Sequence, residues 1–436
     1  LITFVPDLSR SIIVSCLAII LLLYFGSHSW ESRSTTRASV DDTFEILPDS
    51  NPPTLTDDSL MVEKVVTGLE RPTSMAFSDH DNIIILEKNG SVRLVSNGVL
   101  QPNPILNVDV RNDTEQGLLG VAIGNQSSGS KNVFLYFTEA DGDRTKNRVY
   151  RYDWDGSGNL QNGTLILDLP GEPGTNHDGG KMKIGPDGML YGVLGDLNRR
   201  GMLQNNPIGP LPDDTSFIFR IDQDGNGAGD TLSSNGVDLS KYYAYGIRNS
   251  FGLDFDPETG ALWNVEDGPR VYDEMNLVRP GFNSGWTQVM GPLERTNGKS
   301  IADLVNLEGS EYSDPVFSWG QSTGITDIEF LNSTRLGESF SGNIFVGDAN
   351  HGNLYYFTPN SDRTGLDLES DEGLEDLVAD NSDEVAAVTF GTGFTGGITD
   401  IETGPDGLLY VLTFSGNLYR ISPDSDNQEV QEGDDE

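Results

Sequence analysis

"GPDGMLYGVLGD" (185–196) and "GPDGLLYVLTFSGNLYRI" (404–421) carry one phrase twice, more than two hundred residues apart. Each opens on a Pro-Asp-Gly turn and runs straight into a short apolar segment of strand character. "DPETGALWNVEDG" (256–268) is a looser copy, and "GITDIE" occurs identically at 324–329 and 397–402. "SGNIFVGDANHGNLYYF" (341–357) repeats the strand, turn and strand of the last stretch. Long spans between them lack a helical period. Self-similar units of short strands, tens of residues apart, predict the blades of an all-β propeller. Six blade starts fall near Arg71, Gly117, His177, Tyr245, Gly324 and Gly397, giving a six-bladed propeller over residues 59–421. The strand "LMVEKVVTGL" (60–69) is expected to complete the last sheet and close the ring. A pair of β-sandwiches would not explain copies at both ends of the repeat region.

Composition agrees with many strands and turns: Gly numbers 51, Pro 21, and hydrophobic residues make up 36%. The formal charge of −41, from 68 acidic and 27 basic residues, repels phosphate backbones and argues against nucleic acid as a partner. It suits solubility and divalent cations. The single cysteine, Cys16, leaves the fold without intramolecular disulfides. It lies in the uncharged run "SIIVSCLAIILLLYF" (11–25), so residues 1–26 read as a signal anchor or signal peptide, with an uncleaved membrane-anchor helix preferred. Residues 27–58 read as a polar stalk, and 422–436 as an acidic tail. The insert 360–384 is expected to be disordered as well. Five Asn-x-Ser/Thr sequons begin at Asn89, Asn112, Asn125, Asn162 and Asn332. Together these features favour a glycosylated domain at the extracellular or periplasmic face of the membrane. "DQDGNGAGD" (222–230) opens like a calcium loop but lacks the closing Glu, and reads as a turn between blades. His80 and His351 fall in turns and are expected to be exposed.

From about residue 68 to 421 the order of phrases resembles the soluble glucose/sorbosone dehydrogenases and their aldose-dehydrogenase relatives. "RPTSMAF" (71–77), "QGLLGVAI" (116–123), "NHDGGKMKIGPDGMLYGVLGD" (176–196) and "YGIRNSFGLDFDPETGALW" (245–263) lead the match. "EDGPRVYDEMNLVRPGFNSGW" (266–286) and "DIETGPDGLLYVLT" (400–413) complete it. The resemblance implies a six-bladed propeller that carries pyrroloquinoline quinone (PQQ) and calcium, oxidises a sugar or polysaccharide, and passes electrons to an acceptor. It gives His177 the role of general base, a task suited to imidazole near neutral pH. Gln116 would line the sugar and cofactor site, and Arg248 with Asn249 would contact the quinone oxygens. The carbonyls of Gly268 and Pro269 would bind the calcium at the cofactor. Asp273 and Glu274, with the carbonyls of Ser284 and Met290, would bind a second, structural calcium.

The chain departs from the family pattern at three positions. Asn350 stands where the family has a Lys, and Gly397 and Thr399 stand where it has two Arg. A buried tricarboxylate needs such cations, so Lys181 or Arg199 of blade three would have to reach in. Asn176 precedes the base where some members have an orienting Asp. Two readings follow: a membrane-tethered PQQ-dependent aldose dehydrogenase, or a non-catalytic calcium-binding extracellular propeller that has lost the PQQ site.

Overall fold

The computed structural model describes residues 51–424, apart from 126–128, 230, 235 and 369–372. The apolar run 11–25, most of the stalk and nearly all of the acidic tail lie outside the described residues. No helix among the described residues is long and apolar enough to cross a membrane.

The GPDG phrases fold as the turn chemistry dictates. Proline presets the turn, and Gly188 and Gly407 adopt φ of 79° in both copies, a conformation that suits glycine. Asp187 Oδ2 then accepts from the Tyr191 hydroxyl at 3.0 Å, and Asp406 Oδ2 from Tyr410 at 2.8 Å. The strands that follow, Leu190–Leu194 and Leu409–Thr413, are buried on both faces. That explains their unbroken apolar character: each is a second strand with a neighbouring blade on either side.

Six sheets result. Their innermost strands are Pro72–Phe77, Leu118–Asn125, Met182–Ile184, Gly252–Phe255, Ile325–Phe330 and Ile398–Thr403. Each packs beside the next, and the sixth returns to the first, so the strands ring a central channel. Hydrophobic clusters fill the spaces between blades. Trp263 and Phe317 of blade four, for example, meet Ile328 and Tyr355 of blade five. Leu60–Val66 pairs antiparallel with Asn417–Pro423, as the repeat required, and closes the ring. Arg420 Nη2 fastens this seam with a buried ion pair to Glu63 Oε2 at 2.7 Å.

Two expectations need correction. The insert 360–384 is ordered where described: Val378–Ala379 pairs parallel with Phe317–Trp319 as an outer strand of blade four, and Leu374 beside it is fully buried. A few apolar side chains in an acidic segment suffice when a sheet edge is waiting for them. The turn at 222–226 lies inside blade three, after Phe217–Ile221, and Asp222 closes it by accepting from Asp224 N and Asn226 N.

A column of charge fills the channel. Lys181 Nζ lies 2.9 Å from Asp327 Oδ2 and 3.0 Å from Asp400 Oδ1. Two residues further along the chain, Lys183 Nζ contacts Glu329 and Glu402 at 3.0 Å and Asp254 at 3.4 Å. Five carboxylates thus face two ammonium groups. Burial pushes Glu329 and Glu402 up to about 7, with Asp254 adding to the first and Glu329 to the second. A carboxyl raised in the folded state contributes stability at low pH that is lost as pH climbs from the ordinary carboxylate range through 7. Glu402→Gln, which retains an acceptor for Lys183, is therefore expected to raise the melting temperature at pH 8 by a few degrees. At pH 5 the change should be near zero. Thermal unfolding at both values checks this, and a loss of stability at pH 8 would contradict the charge excess.

Candidate active site

The innermost strands begin at one mouth of the channel, around a chamber of about 470 Å³. Its lining brings together His177, Arg248, Asn249 and Gly268, all singled out from sequence, with Asn350 and Thr399 from blades five and six. Gln116 is buried but absent from this lining; its carbonyl accepts from Lys88 Nζ at 2.5 Å, and its neighbour Glu115 takes the chamber position.

His177 sits in a left-handed backbone conformation, φ 67°, unusual for a side chain of its size. Its Nδ1 lies 2.5 Å from Asp196 Oδ1. A carboxylate only accepts, so Nδ1 carries the proton and Nε2 keeps a lone pair for the chamber. Asp196 is itself held by Asn198 N at 2.7 Å and by the Trp286 indole N–H at 2.7 Å. It supplies the orienting carboxylate expected beside the histidine, from the far end of the next strand instead. Gly195 lets the loops meet: a Cβ there would overlap the carbonyl oxygens of both His177 and Arg248.

Arg248 lies over the Trp286 ring, 5.4 Å from its centroid, and donates from Nη1 to the Asp267 carbonyl at 2.7 Å. Among the described residues its buried Nε has no partner, and neither has Asn249 Oδ1. Glu115 Oε2 ties the wall together by accepting from His177 N at 2.6 Å and from Asn249 Nδ2 at 3.0 Å. The Asp267 carboxyl is pushed well above the carboxylate range by burial, then by Asp273 and Glu115, and its Oδ1 is also unpartnered.

The turn at 267–273 gives its two acids different partners. Successive strand residues point to opposite faces, and Asp273 and Glu274 start the strand Asp273–Val278. Asp273 is fully committed: Oδ1 accepts from Gly268 N, and Oδ2 from Thr323 N and Gly324 N. It pins the turn to the next blade. Glu274 instead stands directly across from Glu266 in the sheet. Ser284 Oγ donates to Glu266 at 2.8 Å, and the N–H that follows Met290, that of Gly291, donates to Glu274 at 2.5 Å.

A family model described as glucose / sorbosone dehydrogenase matches residues 69–420. The chain belongs to that family. It is 27% identical over 382 residues to the aldose sugar dehydrogenase YliI of Escherichia coli K12, covering 83% of this chain and 92% of that protein. The apo-form crystal structure of the soluble aldose sugar dehydrogenase from E. coli superposes with a TM-score of 0.66 at 26% identity, covering 84% of this chain and all of the other. The PQQ-bound aldose sugar dehydrogenase of Streptomyces coelicolor shares the fold, with a TM-score of 0.62 at 20% identity over 85% of this chain and all of the other.

Within this family the chamber is unlike a tricarboxylate site. The wall built by Thr326, Ala349, Asn350, Thr399 and Phe414 has no charged side chain. Gly397 has φ 86°, and a Cβ there would overlap the Ala349 carbonyl oxygen, so this backbone holds no arginine. Lys181 reaches the chamber, but Asp327 and Asp400 neutralise it; burial opposes its charge, and these carboxylates outweigh burial. Arg199 is spent on Asp213 and the Glu172 carbonyl. The residues present do not fit PQQ.

Calcium is another matter. Among the described residues no three His, Cys, Asp or Glu side chains cluster as a metal site, so a cation would lean on carbonyls. In the chamber lining, Asn249 and Asp267, each with a buried oxygen that meets no partner among the described residues, stand with Gly268, and oxygen donors of this kind suit calcium. At the second place, Glu266 and Glu274 stand across from each other, with the Ser284 hydroxyl and the Gly291 N–H as donors. Burial, opposed by its hydrogen bonds, pushes Glu266 up to about 7, and burial together with Glu266 pushes Glu274 well above the carboxylate range. Without metal the folded pair holds protons, and stability falls as pH rises from the ordinary carboxylate range through 7. Calcium neutralises the pair only when those protons leave. Chelation by EGTA is therefore expected to lower the melting temperature more at pH 7.5 than at pH 5. An equal shift, or none, would remove calcium from this pair.

Proposed function

We propose that this protein is an exported, membrane-tethered aldose dehydrogenase that oxidises a sugar at its anomeric carbon. The observation that carries the reading is the His177–Asp196 pair at the chamber wall. In it, Asp196 fixes the tautomer and His177 Nε2 takes the anomeric hydroxyl proton as hydride departs. Arg248, with a free Nε on the same wall, offers a donor and a positive charge to oxygen atoms that gain negative charge. The strained backbone of His177 suits a functional position. Support for export and tethering comes from the apolar run 11–25 and the sequons. Calcium, where bound, would be held by the Gly268 and Pro269 carbonyls and would polarise ligand oxygens there.

A second reading is a propeller that only binds. It is favoured by the uncharged residues at 350, 397 and 399. Asp196→Asn separates the two. Asp196 does not touch substrate; it positions the imidazole, and an amide N–H facing Nδ1 would force the proton onto Nε2. In a dehydrogenase, kcat should fall about 10²–10⁴-fold with KM little changed, as in other histidine–carboxylate pairs. An absence of sugar-dependent acceptor reduction in the wild type, with sugar binding retained, would favour the binding module.

A further inference from the structure

We propose that the hydride acceptor in the chamber is an uncharged quinone, one that bears no carboxylates. The inference rests on the dehydrogenase reading and goes beyond it by naming the co-substrate class.

Charge decides the ligand. Of the cations in the lining, Lys181 is neutralised by two buried carboxylates. Lys88 keeps its charge but points two of its hydrogens at the carbonyls of Asn112 and Gln116, on the side of the chamber away from blades five and six. Arg248 faces Glu115 and Asp267 in the same lining. A trianion spanning the chamber would find its cations on one side only, because the wall of Thr326, Ala349, Asn350, Thr399 and Phe414 carries none, and leaving a carboxylate unpaired against that wall is strongly unfavourable. Gly397 makes the exclusion part of the backbone, since no longer side chain fits there.

The shape of the lining describes what is accepted. Leu119, Phe251, Ala349 and Phe414 offer apolar surface to a flat ring. Arg248 Nε, buried and without a partner, is a donor waiting for a carbonyl oxygen on the side where His177 stands. An uncharged quinone presents both features. The redox balance closes: the C1–H bond of the sugar breaks and its electron pair leaves with hydrogen to the quinone. The O1 proton passes to His177 Nε2 and then onward to complete the hydroquinone. The sugar loses two electrons as a lactone and the quinone gains two.

The test uses the purified full chain with calcium and a panel of aldoses, following quinone absorbance. 2,3-Dimethoxy-5-methyl-1,4-benzoquinone and PQQ are compared as acceptors, and PQQ binding is measured by titration calorimetry. The expected result is sugar-dependent reduction of the benzoquinone, with PQQ binding weaker than about 1 μM. Asn350→Lys with Thr399→Arg, checked for an unchanged melting curve, should tighten PQQ at least about tenfold by supplying charge-assisted contacts. Nanomolar PQQ binding with PQQ-dependent turnover and an inert benzoquinone would overturn the inference while leaving the dehydrogenase standing. No gain of PQQ affinity in the double variant would overturn the charge argument. Failure of both acceptors with every aldose would sink the dehydrogenase reading itself, and the inference with it.

Discussion

His177→Ala is expected to lose about 10²–10⁴-fold in sugar-dependent acceptor reduction, the usual share of a positioned general base. The variant should fold. Asp196 keeps Asn198 N and the Trp286 indole as donors, so no buried carboxylate is orphaned when the imidazole goes. Sugar affinity should change little, because the base acts on a proton in flight. Added imidazole should restore part of the rate by entering the vacated space. Combined with Asp196→Asn, the loss should not deepen, since residues acting as one unit are not additive. Full activity in His177→Ala would take the histidine out of the chemistry.

Lys181→Met is expected to produce the largest loss of stability, about 3–5 kcal/mol, the usual cost of breaking a buried ion pair on one side. The methylene stem is replaced in kind; what disappears is the charge that Asp327 and Asp400 share, and both of those side chains are fully buried. Asp327 is already pushed up by burial, even with Lys181 close by to oppose it. Its carboxylate contributes least where it must ionise, so the variant should recover at pH 5 relative to pH 8. Adding Asp400→Asn should return part of the loss. Urea unfolding of the single and double variants measures both effects. A loss below about 1 kcal/mol at pH 8 would mean that water, not Lys181, satisfies the column.

The blades were legible because their signals are local. A Pro-Asp-Gly turn and a strand buried on both faces each leave a mark within a dozen residues, and the two GPDG copies fold alike down to the Asp–Tyr bond. The channel was legible in principle too. "KMK" at 181–183 and "TDIE" at 326–329 and 399–402 place like residues two apart, hence on one face of a strand. Functional contacts were harder. Asp196 stands nineteen residues from His177, and only the return of a hairpin to the same end of the sheet joins them. Gln116 and Glu115 differ by one position, and the bend of an irregular loop decides which faces the chamber. Glu266 becomes a partner of Glu274 only once strand register is known. The ordered part of the acidic insert was missed because its docking edge lies some sixty residues away in sequence.

The seam that closes the ring has a consequence for how the molecule is made. Glu63 and Arg420 are separated by 357 positions, so the strand Leu60–Val66 must wait for almost the whole propeller to be synthesised before it finds its partner. Until then its unpaired edge is open to pairing with other chains, the hazard of any long-lived free strand. Contacts of such range form late and slowly. A chain stopped before residue 417 would keep five sheets intact and still present two sticky edges, one at each side of the gap.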